Sequence, residues 1–582
     1  MNTLEDGIFN DLVYIYNTTT AKSIIREINI RAKNLKKSIQ RTHRQNYTDE
    51  KDSILITYGD ICHSPDKTPL SNLAAFLSEF VGNTISTIHI LPFYPYSSDD
   101  GFSVIDYLQV NPELGSWEDI KSIGTHYRLM FDLVANHVSQ KSKWFQEYLQ
   151  GIPGKSEYFI EMTDIPELAK VFRPRALPLL TQVKTKHEHK KVWTTFSEDQ
   201  IDLNYANPAV LLEILDVLSR YVIEGAEFIR LDAIAFIWKE IGTSCIHHPK
   251  THRIIQLIRK FLEAAEANVT IITETNVPHK NNISYFGNGY NEASMVYNFP
   301  LPPLTLHAFM SEDATILTTW ASSLEFPSDK VTYFNFLASH DGIGVNPVKG
   351  ILSHADIDWI ADRVQTLGGY VSKKNNPDGS TSPYELNCNF LSALAASPDE
   401  DISTELEAAR FIASQSIMLA LRGIPGIYFH SLVGSKNWVE GSANTGMVRS
   451  INREKLSLDQ LVTSLTDNTS LQHNIFNKYL HMLSERAKNE AFCPAAEQEI
   501  LSLHDSVFAV LRTSCGNETS VYCLTNVSSK SVSLKLPLGR KEVEILIDVL
   551  SGKKFKIRDQ NPLTVKLEPY EILWLKESRL LN

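Results

Sequence analysis

Four stretches set groups capable of acid–base and nucleophilic chemistry at the ends of apolar runs. They are F-D-L-V-A-N-H (Phe131–His137), F-I-R-L-D (Phe228–Asp232), I-I-T-E-T-N (Ile271–Asn276) and F-L-A-S-H-D-G-I-G (Phe336–Gly344). They supply Asp132, Asn136 and His137, then Arg230 and Asp232, then Glu274, then His340 and Asp341. Charged side chains are rarely buried unpaired, because desolvation costs more than burial returns. Arg230 and Asp232 stand two apart, so on a strand they point to one face. Alone, that stretch fits a structural ion pair as well as a site. A lone carboxylate at a strand end is usually a cap or a turn residue. Three on separate strands, with His and Arg beside them, are hard to place as caps and converge if the strands form one barrel. The chemistry they suit is glycosyl transfer. It needs a carboxylate nucleophile and a carboxylic acid about 5 Å apart if configuration is retained. In that reading Arg230 keeps Asp232 ionised, and Glu274 needs a raised pKa to protonate the leaving oxygen. His137, His340 and Asp341 hold sugar hydroxyls, with Asp341 gripping harder as an oxocarbenium ion forms. The D-x-x-x-N-H spacing is not a usual ligand pattern, so no metal is expected.

The elements that must position these groups alternate. Apolar strand patterns occur at Ser53–Tyr58, Thr87–Leu91, Arg128–Val134, Phe228–Asp232, Val269–Thr273, Met295–Tyr297, Thr332–Leu337 and Gly426–Phe429. Helical patterns such as Leu211–Val222 and Ile254–Ala265 lie between most of them. Alternation of this kind predicts a parallel sheet covered on both faces, and eight units predict an α/β fold, the (β/α)8 TIM barrel. The barrel is assigned to residues 51–455. Two connections, at about 139–205 and 346–401, are too long for plain βα loops and read as inserted loop domains walling the active face. Residues 1–50 read as a peripheral helical extension with a basic run over Asn34–Arg44, most simply a solvated face. A helical connection is expected over 456–498, and an all-β C-terminal domain over 499–582 from S-V-F-A-V-L, S-V-Y-C-L, V-S-L-K-L, V-E-I-L-I and E-I-L-W-L.

The 582 residues carry a net charge of −12, which argues against general binding to nucleic acid or anionic membranes. One local cluster of Arg and Lys would still suffice for an anionic substrate. The six cysteines are scattered, with no C-x-x-C pair, suggesting neither zinc nor a disulfide framework. No apolar run reaches the roughly 18 residues of a membrane span, and the acidic N-terminus lacks a signal-peptide pattern. A cytoplasmic protein is expected, as a monomer or homodimer.

D-L-V-A-N-H, F-I-R-L-D, I-T-E-T and A-S-H-D resemble, in order, the four signature regions of the α-amylase family, glycoside hydrolase family 13. The resemblance implies Asp232 as nucleophile, Glu274 as acid/base and Asp341 as transition-state stabiliser. I-T-Y-G-D, H-I-L-P-F-Y-P-Y-S-S-D-D-G-F, R-P-R, L-P-P-L, Y-E-L-N and I-N-R look like the sucrose phosphorylase subfamily. That narrower resemblance implies a small-molecule glucoside and phosphate as substrates. Inorganic phosphate would be a co-substrate, and no cofactor is implied. It further implies an Asp99–Arg449 pair closing the far end of the glucose pocket, Phe102 as the glucose platform, and Arg175 and Tyr384 meeting phosphate or the acceptor. A loop Arg paired with a nearby carboxylate is the plainer reading of Arg175. Sucrose phosphorylases carry a His two residues after the acid/base; here Asn276 stands there. R-A-L-P-L-L-T, W-T-T-F-S-E-D-Q-I-D-L-N-Y (with Gln200), E-T-N-V-P-H-K and K-N-N-P-D-G-S-T-S-P-Y-E-L-N are closest to glucosylglycerate phosphorylases. Their acceptor has a carboxylate, for which Lys373, Lys374 and Asn376 are candidate contacts. The implied activity is reversible phosphorolysis of 2-O-α-glucosylglycerate to α-D-glucose 1-phosphate and D-glycerate through a β-glucosyl-enzyme. Phosphorylases of sucrose, sucrose 6′-phosphate or glucosylglycerol stand beside it, then an α-glucosidase or transglucosidase, then a non-catalytic amylase-like binding protein.

Overall fold

A computed structural model describes residues 3–39, 48–175, 177–375, 380–395, 402–538, 545–557 and 562–578. Eight strands form a closed parallel barrel: β1 (Ile54–Thr57), β2 (Thr87–Ile90), β3 (Arg128–Val134), β4 (Ala226–Asp232), β5 (Thr270–Thr273), β6 (Met295–Tyr297), β7 (Thr332–Phe336) and β8 (Ile424–Tyr428). Each pairs with its neighbours in chain order, and β1 closes on β8. All eight expected strands are present. β8 begins two residues before the expected start because Pro425 and Gly426, usual strand breakers, lie inside it. Gly426 has a packing reason: a Cβ there would sit 2.3 Å from the Phe334 ring on the adjacent strand β7.

The register sets up the site. β3 and β4 align Asp132 with Arg230 and Val134 with Asp232. The strands are buried through their C-terminal halves, so polar groups there must find partners inside the barrel mouth.

Both long connections hold structure of their own. The first forms an antiparallel hairpin, Leu180–Lys184 with His189–Trp193, and a strand Gln200–Asp202 paired to His137–Ser139. The second holds a helix, His354–Thr366, and strands Tyr370–Asn375 and Thr381–Asn387; the latter also pairs with Ile343–Gly344. Asn376 lies outside the described residues.

The N-terminal residues are helical but not peripheral. α1 (Thr3–Ile15) and α2 (Thr18–Ser38) dock on α3 (Pro208–Ile223) and α4 (Pro249–Ala264), two helices of the barrel's outer ring. Ala21, Ile24, Ile28, Ala32 and Leu35 repeat at three- and four-residue spacing and are buried. Asp11, 1% exposed, lies between Arg253 and Lys260 of α4. The end of the basic run, residues 40–44, lies outside the described residues.

Helices Leu458–Thr466 and Leu471–Ala487 lead to a six-stranded sheet with a two-stranded companion. Its first strand, Glu497–His504, starts two residues before the expected boundary. Buried Arg486 donates to the carbonyls of Leu419, Gly423 and Phe492, tying this region to the base of the barrel. Among the described residues no helix is long and apolar enough to cross a membrane. Nor, among them, does any group of three or more His, Cys, Asp or Glu stand where it could hold a metal ion.

Candidate active site

Asp232 ends β4, Glu274 follows β5 and Asp341 follows β7, and all three line one cleft at the C-terminal mouth of the barrel. Its empty volume is about 1070 Å³. His137, His340, Phe102, Asp99, Arg175, Gln200, Asn276, Tyr384 and Arg449 line it too.

Arg230 is the hub beneath. Its Nη1 lies 2.7 Å from Asp232 Oδ1 and also pairs with Asp132, while Nη2 is 3.8 Å from Glu274 Oε2. Asp132 is completed on its other side by His89, 2.6 Å away. The Ala233 N–H donates to Glu274 Oε2 at 3.2 Å.

One cation thus serves three carboxylates, so Arg230 pulls the Asp232 pKa down against burial and its neighbours without fully offsetting them. Burial pushes Asp232 up, and Arg230 only partly offsets it while Glu274, Asp132 and Asp341 push further. Glu274 is raised as well, by burial first and by Asp341, against the pull of Arg230. The two therefore compete for a proton. The shorter contact of Arg230 to Asp232 favours the arrangement with Asp232 ionised and Glu274 protonated. Asp341 is the opposite case. Burial opposes its ionisation, but the Arg449 and Arg453 guanidiniums hold it well below the ordinary carboxylate range.

Part of the cleft lining is flat and aromatic. Phe102 stacks on His340 with ring centres 4.8 Å apart and planes 3° from parallel. Burial lowers His340 to about 3 and His137 to about 4, so both imidazoles are neutral at pH 7. His137 Nε2 lies 3.0 Å from the Phe102 carbonyl and 3.1 Å from Gln200 Nε2.

The expected Asp99–Arg449 pair is replaced. Asp99 meets Arg175 at 3.2 Å and Arg453 at 4.0 Å, and Arg453 pairs with Asp100 at 2.6 Å. Arg449 instead contacts Asp341 at 2.6 Å and Glu385 at 2.7 Å. Both arginines leave one short stretch at the 3-10 turn Val448–Asn452, but Arg453 turns under the cleft floor while Arg449 stays in its wall. Arg175 both lines the cleft and pairs with a carboxylate, so the two readings of it coexist. Lys373 is exposed, pairs across its strand with Pro383 and is not in the cleft wall. A bulge between Ser372 and Lys373 shifts the register there. Asn276 packs on Gly344, where a Cβ would come within 2.6 Å of it, and its buried Oδ1 has no hydrogen-bond partner among the described residues.

Glu385 and Arg453 were not singled out from sequence, although both sit inside quoted motifs, Y-E-L-N and I-N-R. Phe172, Phe196 and Phe236, which add apolar wall around Arg175, were not singled out from sequence, although Phe196 sits inside the quoted W-T-T-F-S-E-D-Q stretch. Asp199 is another addition. Its Oδ2 accepts from the hydroxyls of Ser97, Ser98 and Ser103 at 2.5–2.8 Å, tying the Asp99 turn to the first insertion.

A family profile described as alpha amylase, catalytic domain, matches residues 81–344, and one for the maltogenic amylase C-terminal domain matches residues 498–574. The chain is 48% identical to a glucosylglycerate phosphorylase of Spirochaeta thermophila over 91% of each chain. It is 41% identical to one of Escherichia coli, over 98% of this chain and 100% of that one. The crystal structure of sucrose 6F-phosphate phosphorylase from Thermoanaerobacter thermosaccharolyticum superposes with a TM-score of 0.73 at 23% identity, covering 88% of this chain and 99% of that one.

Proposed function

We propose that this chain, which belongs to the α-amylase family and within it to the glucosylglycerate phosphorylases, catalyses reversible phosphorolysis of 2-O-α-glucosylglycerate. The products are α-D-glucose 1-phosphate and D-glycerate. One observation carries the reading: three carboxylates from three strands share a cleft whose wall also holds Arg175 and Tyr384.

Asp232, aligned by Arg230, attacks the anomeric carbon from below. The bond to glycerate breaks, and Glu274 gives its proton to the departing oxygen. Asp341 supports the positive charge that develops on the ring. A phosphate oxygen then attacks the same carbon, the bond to Asp232 breaks, and α-configuration is restored. Phosphate attacks as an anion and needs little base assistance. Arg175 offers it a two-pronged donor and Tyr384 a hydroxyl. Burial pushes the Tyr384 phenol well above its ordinary value, so it stays a neutral donor. The Phe172, Phe196 and Phe236 walls disfavour water as the competing acceptor.

Asn276 supports glycerate over sucrose, because the position holds a carboxamide where sucrose phosphorylases present an imidazole. The reaction as proposed uses no metal or organic cofactor. We place the enzyme in the cytoplasm, in keeping with six unpaired cysteines, as a monomer or homodimer.

The test is phosphate release from α-glucose 1-phosphate with glycerate, fructose, fructose 6-phosphate or glycerol as acceptor. Glycerate should be fastest. Faster release with any other acceptor overturns the assignment, and glucose release independent of phosphate would make the chain a glucosidase.

A further inference from the structure

Glu385 is a carboxylate that the proposed reaction does not use, yet it is built into the cleft. It lies on the strand Thr381–Asn387, which pairs Glu385 with Gly344 and Leu386 with Ile343, immediately after the H-D-G turn. Its side chain is 6% exposed, against 22% for Arg449 and 28% for Asp341. The three are therefore layered, with Glu385 deepest and Asp341 facing the cleft.

The contacts follow that order. Arg449 Nη2 lies 2.7 Å from Glu385 Oε1, and Arg449 Nε donates to Oε2 at 3.2 Å, a two-pronged hold that fixes the guanidinium plane. The remaining nitrogen, Nη1, then lies 2.6 Å from Asp341 Oδ1. The residue after Asp341 is shaped to admit this arrangement. A Cβ on Gly342 would come 2.5 Å from Glu385 Cγ and 2.7 Å from the Leu386 carbonyl. Glycine at that point lets the strand carrying Glu385 close against the turn carrying Asp341.

An anion-binding role for Arg449 fits these contacts poorly, since two carboxylates already take its three nitrogens. We infer that Glu385 is a positioning residue for Asp341, acting through Arg449. It holds the guanidinium so that Asp341 is fixed and ionised where charge develops on the sugar. The inference rests on the reading of Asp341 as the group that stabilises the transition state. It predicts an effect on glucosyl transfer to every acceptor, because Asp341 acts on the donor sugar and not on what receives it.

The experiment compares Glu385→Gln, Arg449→Lys, the double variant and Gly342→Ala in two assays. One is phosphorolysis at varied phosphate, and the other is fluoride release from α-glucosyl fluoride with water as acceptor. In each single variant kcat should fall roughly 100-fold in both assays, the size expected for losing one transition-state interaction, with KM for phosphate changed less than about threefold. The double variant should fall no further than the worse single. Gly342→Ala keeps the carboxylate but displaces it, and Glu385→Asp should regain part of the rate; these two decide the matter if Glu385→Gln does not fold. A raised phosphate KM with kcat retained would overturn the inference and place Glu385 and Arg449 on the acceptor. Strictly additive losses would overturn it too. If the unsubstituted enzyme releases fluoride but shows no phosphorolysis, the proposed reaction fails while the fluoride assay still judges Glu385.

Discussion

Asp100 and Arg453, 353 residues apart in the chain, form an ion pair of 2.6 Å beneath the floor of the cleft. The pair braces a turn whose backbone is left-handed at successive residues. Asp99, Asp100 and Gly101 are consecutive residues with φ of 54°, 46° and 107°, and left-handed conformations cost non-glycine residues about 1 kcal/mol or more each. Gly101 has no alternative, since a Cβ there would meet the Pro92 carbonyl at 2.4 Å. The turn presents Asp99 and Phe102 to the cleft, so the strain sits in the cleft lining.

Arg453 is 2% exposed and also donates to the His340 carbonyl at 2.7 Å. Arg453→Ala should destabilise the protein by about 1–3 kcal/mol, as expected for leaving the buried His340 carbonyl and the partly exposed Asp100 without their donor, and should raise KM for glucose 1-phosphate. Urea unfolding and initial rates check both. Unchanged stability would show that Asp100 needs no counter-charge.

Asp199 should act on the same turn from its other side. Replacing it with Ala removes the acceptor for Ser97, Ser98 and Ser103. The donor KM should rise roughly tenfold, about what one charged hydrogen bond contributes, with a smaller change in kcat. A donor KM within error of the unsubstituted enzyme would mean that the turn holds without it.

The pH dependence should be a bell displaced upward. The rate rises as Asp232 loses its proton and falls as Glu274 loses its own, and burial raises both groups. In that order Glu274 is still protonated and neutral while Asp232 titrates, so Glu274→Gln should remove the alkaline limb and leave the acid limb in place. Fluoride release from α-glucosyl fluoride reports this, because the leaving fluoride needs little protonation. An alkaline limb that survives in Glu274→Gln contradicts the assignment.

The N-terminal hairpin should contribute to global stability. Ile28 is fully buried between the hairpin and the barrel helices, so Ile28→Ala should cost about 2–4 kcal/mol, read from the urea midpoint. A loss below about 0.5 kcal/mol would assign the hairpin to a separately unfolding unit.

The sequence by itself determined what local periodicity and strand-end chemistry can encode. Apolar runs alternating with helical patterns specify a barrel, because both signals act over a few residues. Asp232, Glu274 and Asp341 stood out because a carboxylate ending an apolar run demands a reason. Tertiary structure decided how buried charges are shared, which no local pattern records. Arg449 and Arg453 stand four apart in one short segment, and only packing sends one to Asp341 and Glu385 and the other to Asp100. Arg230 was legible as the partner of Asp232, but not that Asp132 from β3 shares it, which leaves burial to raise Asp232. That Lys373 lies outside the cleft lining was not legible either, since its neighbours in sequence do not record which face of its strand meets the cleft. The amphipathic stripe of α2 was readable, while the surface it covers was not. Electrostatic coupling and close packing join residues far apart in the chain, and they exist only once the barrel has closed.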